Sequence, residues 1–157
     1  MKIDLDRIDR HILTLLQQDN RISNQKLAET VGLSPPACLR RVKRLRDEGV
    51  IIADVSIVNP RLLGKKLNII VEIEMSRDSL DISDNFMRKM HEANEVTQCY
   101  QVTGEIDFVL VVMVEDMEAY EAFARRELAS NTHLRKFRTL ISLRRNKFST
   151  EVDAMKV

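Results

Sequence analysis

Apolar positions along this chain change period once. Up to about residue 50 they recur every three or four residues, and beyond it they mostly alternate. Leu5, Ile8, Ile12, Leu15 and Leu16 form one stripe, which predicts a helix over Asp4–Gln18, with Asp4 and Asp6 at the end where the helix dipole favours acid. Leu27, Ala28 and Val31 predict a short second helix from about Asn24, with Ser23 as its N-cap. Gly32 follows where a helix commonly ends in the left-handed conformation. A third helix starts at Ser34, another good N-cap. Pro35 then occupies the first helical position, where a missing N–H costs nothing, and Gly49 closes the helix. Cys38, Val42 and Leu45, with Leu39 beside them, are expected to pack inward.

The rest of that third helix is basic: five of the seven residues from Arg40 to Arg46 are Arg or Lys. Two helices across a glycine-containing turn, with a third upstream, make a helix-turn-helix whose second member enters the major groove of duplex DNA. A solvated basic face would explain the charge run, but not the turn and the upstream helix. The expected DNA contacts are Arg40, Arg41 and Arg44, with Ser34, Pro36 and Ala37 at the groove-facing helix start. Ser23 and Asn24, at the start of the preceding helix, join them. Free N–H groups at the helix start are expected to receive a phosphate.

Val50–Val58 is apolar and β-branched and predicts a strand, either a wing on DNA or a partner for a strand of a second subunit. Asn59-Pro60 ends it. Leu67–Met75 alternates strictly, the mark of a half-buried strand. Ser76–Ser79 reads as a loop, and Ile82, Phe86, Met90 and Ala93 as one face of a helix over Asp81–Glu92. Strands are predicted at Val96–Val102, Phe108–Val114 and Leu134–Leu143. A helix capped by Asp116 is predicted from Met117 to about Leu128. The order β-α-β-β-α-β is that of the ferredoxin-like fold, with both helices on one sheet face. The class is therefore α+β. The predicted domains are 1–50, helix-turn-helix; 51–66, a β-strand linker; 67–144, ferredoxin-like; and 145–157, a polar tail. The uncovered apolar sheet face predicts association with a second copy.

Composition narrows the chemistry. The 157 residues carry a net charge of +1 and are 44% hydrophobic and 31% charged, so basicity is local to the third helix. Cys38 and Cys99 form no CxxC, no apolar run approaches a bilayer span, and the first ten residues lack an apolar leader core. A soluble cytoplasmic protein is expected. His11, His91 and His133 lie on different elements, and no HExxH, P-loop, GxSxG or metal spacing occurs. No enzymatic activity, metal or cofactor is expected. The rival reading is an interaction protein whose basic helix meets an acidic partner.

LDRIDRHIL at Leu5–Leu13, LSPPACLRRVKRLRDEGVI at Leu33–Ile51 and VTGEIDFVLVV at Val102–Val112 stand in the order typical of one family. The chain resembles the Lrp/AsnC (leucine-responsive/asparagine-regulator) transcription regulators almost throughout, to about Leu143. It departs from the family at Asn94-Glu95-Val96 and Asn131-Thr132-His133-Leu134, both framework turns. The resemblance implies a winged helix-turn-helix regulator that binds duplex DNA. It also implies a ferredoxin-like domain that receives a small effector, typically an amino acid, and homodimers assembling into octamers or similar rings. It places the effector at the turn Thr103–Asp107, with Tyr100, Gln101, Thr103, Gly104 and Asp107 as lining. The residues alone fit a plain hairpin equally well, with Gly104 at positive φ and Asp107 bonded to nearby backbone.

Overall fold

The computed structural model describes residues 3–76 and 80–155, so the expected loop at Ser76–Ser79 lies outside the described residues apart from Ser76. Its contacts divide the chain into two units. One holds the residues up to Ile57 together with those from Lys147 onward, and the other is Val58–Asn146.

The first unit carries α1 (Arg7–Gln18), α2 (Asn24–Val31) and α3 (Pro35–Asp47). Helix α1 begins three residues later than the apolar stripe suggests, because Asp6 caps it. The Asp6 carboxylate accepts the Asp9 N–H at 2.8 Å, and the Asp9 carboxylate accepts the Asp6 N–H at 3.2 Å. This reciprocal capping box satisfies donors that the first turn leaves open. Ser23 caps α2 by accepting the Lys26 N–H at 3.2 Å, and Gly32 ends it at φ +73°. Ile12, Leu27, Ala28, Cys38, Val42 and Leu45 form the buried core. Leu39 does not join them and stays 56% exposed. It follows Cys38 by one residue, about 100° further round the helix, which carries it past the packed stripe.

Val50–Val58 pairs with no strand of this chain among the described residues. The Val50 and Ile51 N–H groups both donate to the Leu45 carbonyl, at 2.9 and 3.0 Å, closing the end of α3. Ile52 then stands 93% exposed, and Val55, Ile57 and Val58 are exposed too. β-branched residues make extended backbone favourable, but a strand needs a neighbour to complete its ladder. Among the described residues none runs beside this segment. A 3₁₀ turn at Pro60–Leu63 follows.

The second unit is built on β1 (Leu67–Met75), α4 (Leu80–Glu92), β2 (Val96–Gln101), β3 (Phe108–Val114), α5 (Met117–Phe123) and β4 (Leu134–Ile141). The strands lie in the order β2-β3-β1-β4, all antiparallel. Ile69, Val71, Ile73 and Met75 of β1 share one face with Phe108, Leu110, Val112 and Val114 of β3. This face is covered by Phe86 and Met90 of α4 and by Tyr120 and Phe123 of α5. The α+β, ferredoxin-like architecture is thus as the alternation and order indicate. The predicted helix to Leu128 changes register instead of continuing: Ala124–Ala129 is a π-helix. That i→i+5 register turns Leu128, five residues after Phe123, onto the buried side. Strand β4 ends at Ile141, two residues early, and Leu143 is exposed beyond it.

The C-terminal residues are more than a solvated tail. Arg10 Nη1 donates to the Ala154 carbonyl at 3.0 Å. The Gln17 carboxamide donates to the Val152 carbonyl at 3.0 Å and accepts the Val152 N–H at 2.8 Å. The Gln17 side chain thus pairs with Val152 as a neighbouring strand would.

Candidate nucleic-acid interface and effector hollow

Helix α3 has three distinct sides. Cys38, Val42 and Leu45 face the core. Pro36, Arg40, Lys43 and Asp47 recur at the same spacing on the opposite side and are exposed. Neither Arg40 nor Lys43 has an ion-pair partner among the described residues. On the third side, Arg41 Nη1 reaches Asp6 Oδ2 at 2.6 Å and Asp9 Oδ1 at 2.9 Å, while Arg44 Nη2 reaches Asp9 Oδ2 at 2.5 Å. Asp9 is 1% exposed. The Asp6 carboxyl is held below the ordinary carboxylate range, first by the Asp9 backbone N–H and then by Arg41. Arg41 is in turn raised by Asp6 and Asp9.

Arg41 and Arg44, both expected to contact DNA, also carry a structural load in this cluster. Arg41 Nη1 and Arg44 Nη2 are held by two carboxylates of α1, which fixes the rotation of α3, while both side chains stay part-exposed. Ser23 and Asn24 also make local hydrogen bonds. Ser23 spends its hydroxyl on the cap, and Asn24 Nδ2 donates to the Pro35 carbonyl at 2.8 Å, joining the starts of α2 and α3. Ser34 occupies the N-cap position but makes no side-chain cap bond, which leaves its hydroxyl exposed beside Pro36 and the half-buried Ala37. The phosphate site expected at this helix start is also weakened. Pro35 and Pro36 have no N–H, and the Cys38 N–H is bonded to the Ser34 carbonyl, which leaves the Ser34 and Ala37 amides at the tip.

In the second unit, Gly104 takes φ +123° in the turn between β2 and β3. Asp107 serves the fold there. Its Oδ2 accepts the Met75 N–H at 2.6 Å, its own N–H donates to the Ile73 carbonyl at 2.8 Å, and its carbonyl accepts the Val102 N–H at 2.9 Å. The carboxylate expected to receive an effector therefore ties the turn to β1. Tyr100 donates its hydroxyl to Gln98 Oε1 at 2.8 Å. Neither it nor Gln101, Thr103, Gly104 or Asp107 lines the hollow described next.

The hollow lies next to them, with a volume of about 490 Å³. Glu72 and Glu74 of β1, Glu105 and Ile106 of the turn, and Lys136, Phe137 and Arg138 of β4 line it. The β1–β4 register sets Glu72 opposite Arg138 and Glu74 opposite Lys136. Arg138 pairs with Glu72, and Arg135 with Glu74 at 2.6 Å. Lys136 and Glu105 keep no ion-pair partner among the described residues. This set escapes a reading by residue order, because only strand register brings the acids of β1 to the bases of β4. The alternation of charge in both segments was its one visible signal. Among the described residues no group of three or more His, Cys, Asp or Glu is placed to hold a metal ion, and no helix is long and apolar enough to cross a membrane.

Residues 5–52 match a family model described as a winged helix-turn-helix DNA-binding domain, and residues 68–152 match the Lrp/AsnC ligand binding domain. The chain is 44% identical over 145 residues to an uncharacterized HTH-type transcriptional regulator of Sinorhizobium fredii, covering 92% of this chain and 86% of that one. It is 42% identical over 132 residues to the leucine-responsive regulatory protein of Escherichia coli K12, covering 84% of this chain and 77% of that one. The crystal structure of a transcriptional regulator in complex with L-Met from Neisseria meningitidis aligns with a TM-score of 0.88 at 30% identity, covering 95% of this chain and 96% of that one.

Proposed function

The chain belongs to the Lrp/AsnC family of DNA-binding transcriptional regulators, and on that premise we propose that its hold on DNA answers to an amino acid bound in the hollow between β1, β4 and the Gly104 turn. The observation that carries this is the pair Lys136 and Glu105: opposite charges, both without an ion-pair partner among the described residues, beside the apolar Ile106 and Phe137. A zwitterion needs a cation for its carboxylate, an anion for its ammonium and an apolar wall for its side chain. Lys136, Glu105 and Phe137 supply these in turn. The neighbour from Neisseria meningitidis is a complex with L-Met, which supports an amino acid as the class of effector. On this reading residues up to about 50 contact DNA, and 67–144 sense the effector and assemble. A ligand that binds two assembly states unequally shifts the balance between them, and DNA binding changes without the ligand touching DNA.

Thermal-shift screening against the common amino acids tests the proposal. A ligand at a hundredfold excess over its Kd stabilises the folded state by about 2.7 kcal/mol. Glu105→Gln and Lys136→Ala should abolish the shift. If no amino acid raises the midpoint, the effector reading fails; if both variants respond like the parent protein, the site lies elsewhere.

We also propose a homodimer as the minimal unit, with larger rings built from it. Ile70, Leu140 and Tyr100 are exposed on the uncovered sheet face, and Ile52, Val55, Ile57 and Val58 are exposed on a segment that pairs with no strand of this chain among the described residues. Exposed apolar side chains of this kind mark an interface. Two copies of α3 would then meet successive major grooves about 34 Å apart, so the operator should be roughly palindromic. Sedimentation at micromolar concentration should return the mass of a dimer or a multiple of it, and a monomer mass would contradict this.

A further inference from the structure

Where the second unit begins and ends, five exposed cations gather around a shallow hollow of about 100 Å³: Arg61, Lys65, Lys66, Arg144 and Arg145. In a chain of net charge +1 this is a local excess. Glu115 offsets one of them, pairing with Lys65 at 3.6 Å across solvent. Arg61, Lys66 and Arg144 have no ion-pair partner among the described residues. Like charges lining one hollow repel one another, and Arg61, Lys66 and Arg144 there suit an anion from outside.

The backbone beneath them is fixed. Asn59 Oδ1 accepts the Arg61 N–H at 3.1 Å, and Gly64, at φ +82°, lets the Lys65 N–H reach the Pro60 carbonyl at 2.9 Å. The Ser142 N–H donates to the Asn68 carbonyl at 2.9 Å, joining the segment before β1 to the one after β4. Asn68 also lines the hollow, and its buried Oδ1 has no hydrogen-bond partner. A half-turn of that carboxamide presents an N–H donor instead.

We propose that this hollow receives a phosphate of duplex DNA outside the bases read by α3, giving the ferredoxin-like unit its own hold on the DNA backbone. The lining contains no aromatic ring on which a base could stack and no acid to hold a ribose hydroxyl, which favours a backbone phosphate over a free nucleotide. The basic residues also border both places where the chain passes between its two units, Val58 and Asn146. They are therefore only a few residues along the chain from the unit that carries α3. The inference rests on the DNA-binding reading of α3.

The test uses the full chain and two duplexes selected by it. Both carry the same core, and one is extended on each side by random sequence. The Lys66→Ala/Arg144→Ala double variant should bind the core duplex like the parent and the extended duplex about tenfold more weakly. Its salt slope on the extended duplex should fall by about 0.9 for each phosphate that the variant no longer neutralises. Arg61→Gln/Lys65→Gln should repeat the result with milder changes, should the first pair fold poorly. An unchanged slope on the extended duplex overturns the proposal, as does an equal weakening on both duplexes. A midpoint raised by inorganic pyrophosphate in the parent but not in the variant, with the DNA slope unchanged, would assign the hollow to a free phosphate and also overturn it. If the parent binds neither duplex, the reading of α3 falls as well.

Discussion

Asp9→Ala should lower the unfolding free energy of the N-terminal unit by about 3 kcal/mol, the lower end of what breaking a buried ion pair costs. The carboxylate is almost fully buried and accepts from Arg41, Arg44 and the Asp6 N–H at once. Its removal takes the shared buried anion from two guanidinium groups, leaving Arg41 only Asp6 and Arg44 only the distant Glu48. Both are part-exposed, so water recovers some of the cost, which places the figure at the lower end. A unit of this size is worth only roughly 3–10 kcal/mol in total, so the variant should melt many degrees earlier by circular dichroism. Asp84→Ala, an exposed acid on α4, is the control and should stay within about 0.5 kcal/mol of the parent. Acid should act in the same direction as the mutation. The Asp6 carboxyl titrates lower in the folded chain than its usual 3.8. Its stabilisation is therefore complete above that value and is lost as pH falls through the lower, folded one. If Asp9→Ala and Asp84→Ala melt alike, the cluster is not what holds α3 against α1.

Burial was legible for most positions that one chain segment alone decides, Leu39 excepted. The stripe Ile12, Leu27, Ala28, Val42, Leu45 and the alternation Ile69, Val71, Ile73 are periodicities of single elements, and both fell where the period put them. What depends on two segments meeting was not legible. Val50–Val58 has the composition of a strand, but composition carries no information about whether a neighbour completes the ladder. The hollow required the register of β4 on β1, which sets Glu74 against Lys136. The arginines of α3 look equivalent in sequence but differ in their partners: α1 takes Arg41 and Arg44, Asp54 takes Arg46, and Arg40 has no ion-pair partner among the described residues. One signal for that was present: acids spaced three apart at Asp6 and Asp9 form a capping box, and a capped N-terminus beside a basic helix is a ready partner for its arginines. Asp107 shows the opposite case, where the plain hairpin reading of a turn residue described its hydrogen bonds better than the functional one.

Arg40→Ala/Lys43→Ala should weaken binding to the selected operator by about 2–4 kcal/mol, roughly 30- to 700-fold, while leaving the fold intact. An arginine read against a guanine edge is worth about 1–3 kcal/mol, and a lysine on phosphate adds a smaller share that salt removes. Both side chains stand on the exposed face of α3, outside the core and outside the Asp6–Asp9 cluster, so the fold does not depend on either. The Arg41 and Arg44 variants differ in kind. Their DNA binding should fall only in proportion to their stability, and an Arg41→Lys variant, which can still pair with Asp6, should recover part of both.

The central claim is that this chain reads duplex DNA through the outward face of α3. The direct measurement is equilibrium binding of the parent and of Arg40→Ala/Lys43→Ala to the selected operator and to a scrambled duplex of the same length and composition, over a series of salt concentrations. The account predicts that the parent prefers the operator by about a thousandfold or more, that its affinity falls steeply with salt, and that the double variant loses most of the preference. Equal affinity of the parent for both duplexes, or a double variant that discriminates between them as the parent does, would contradict it.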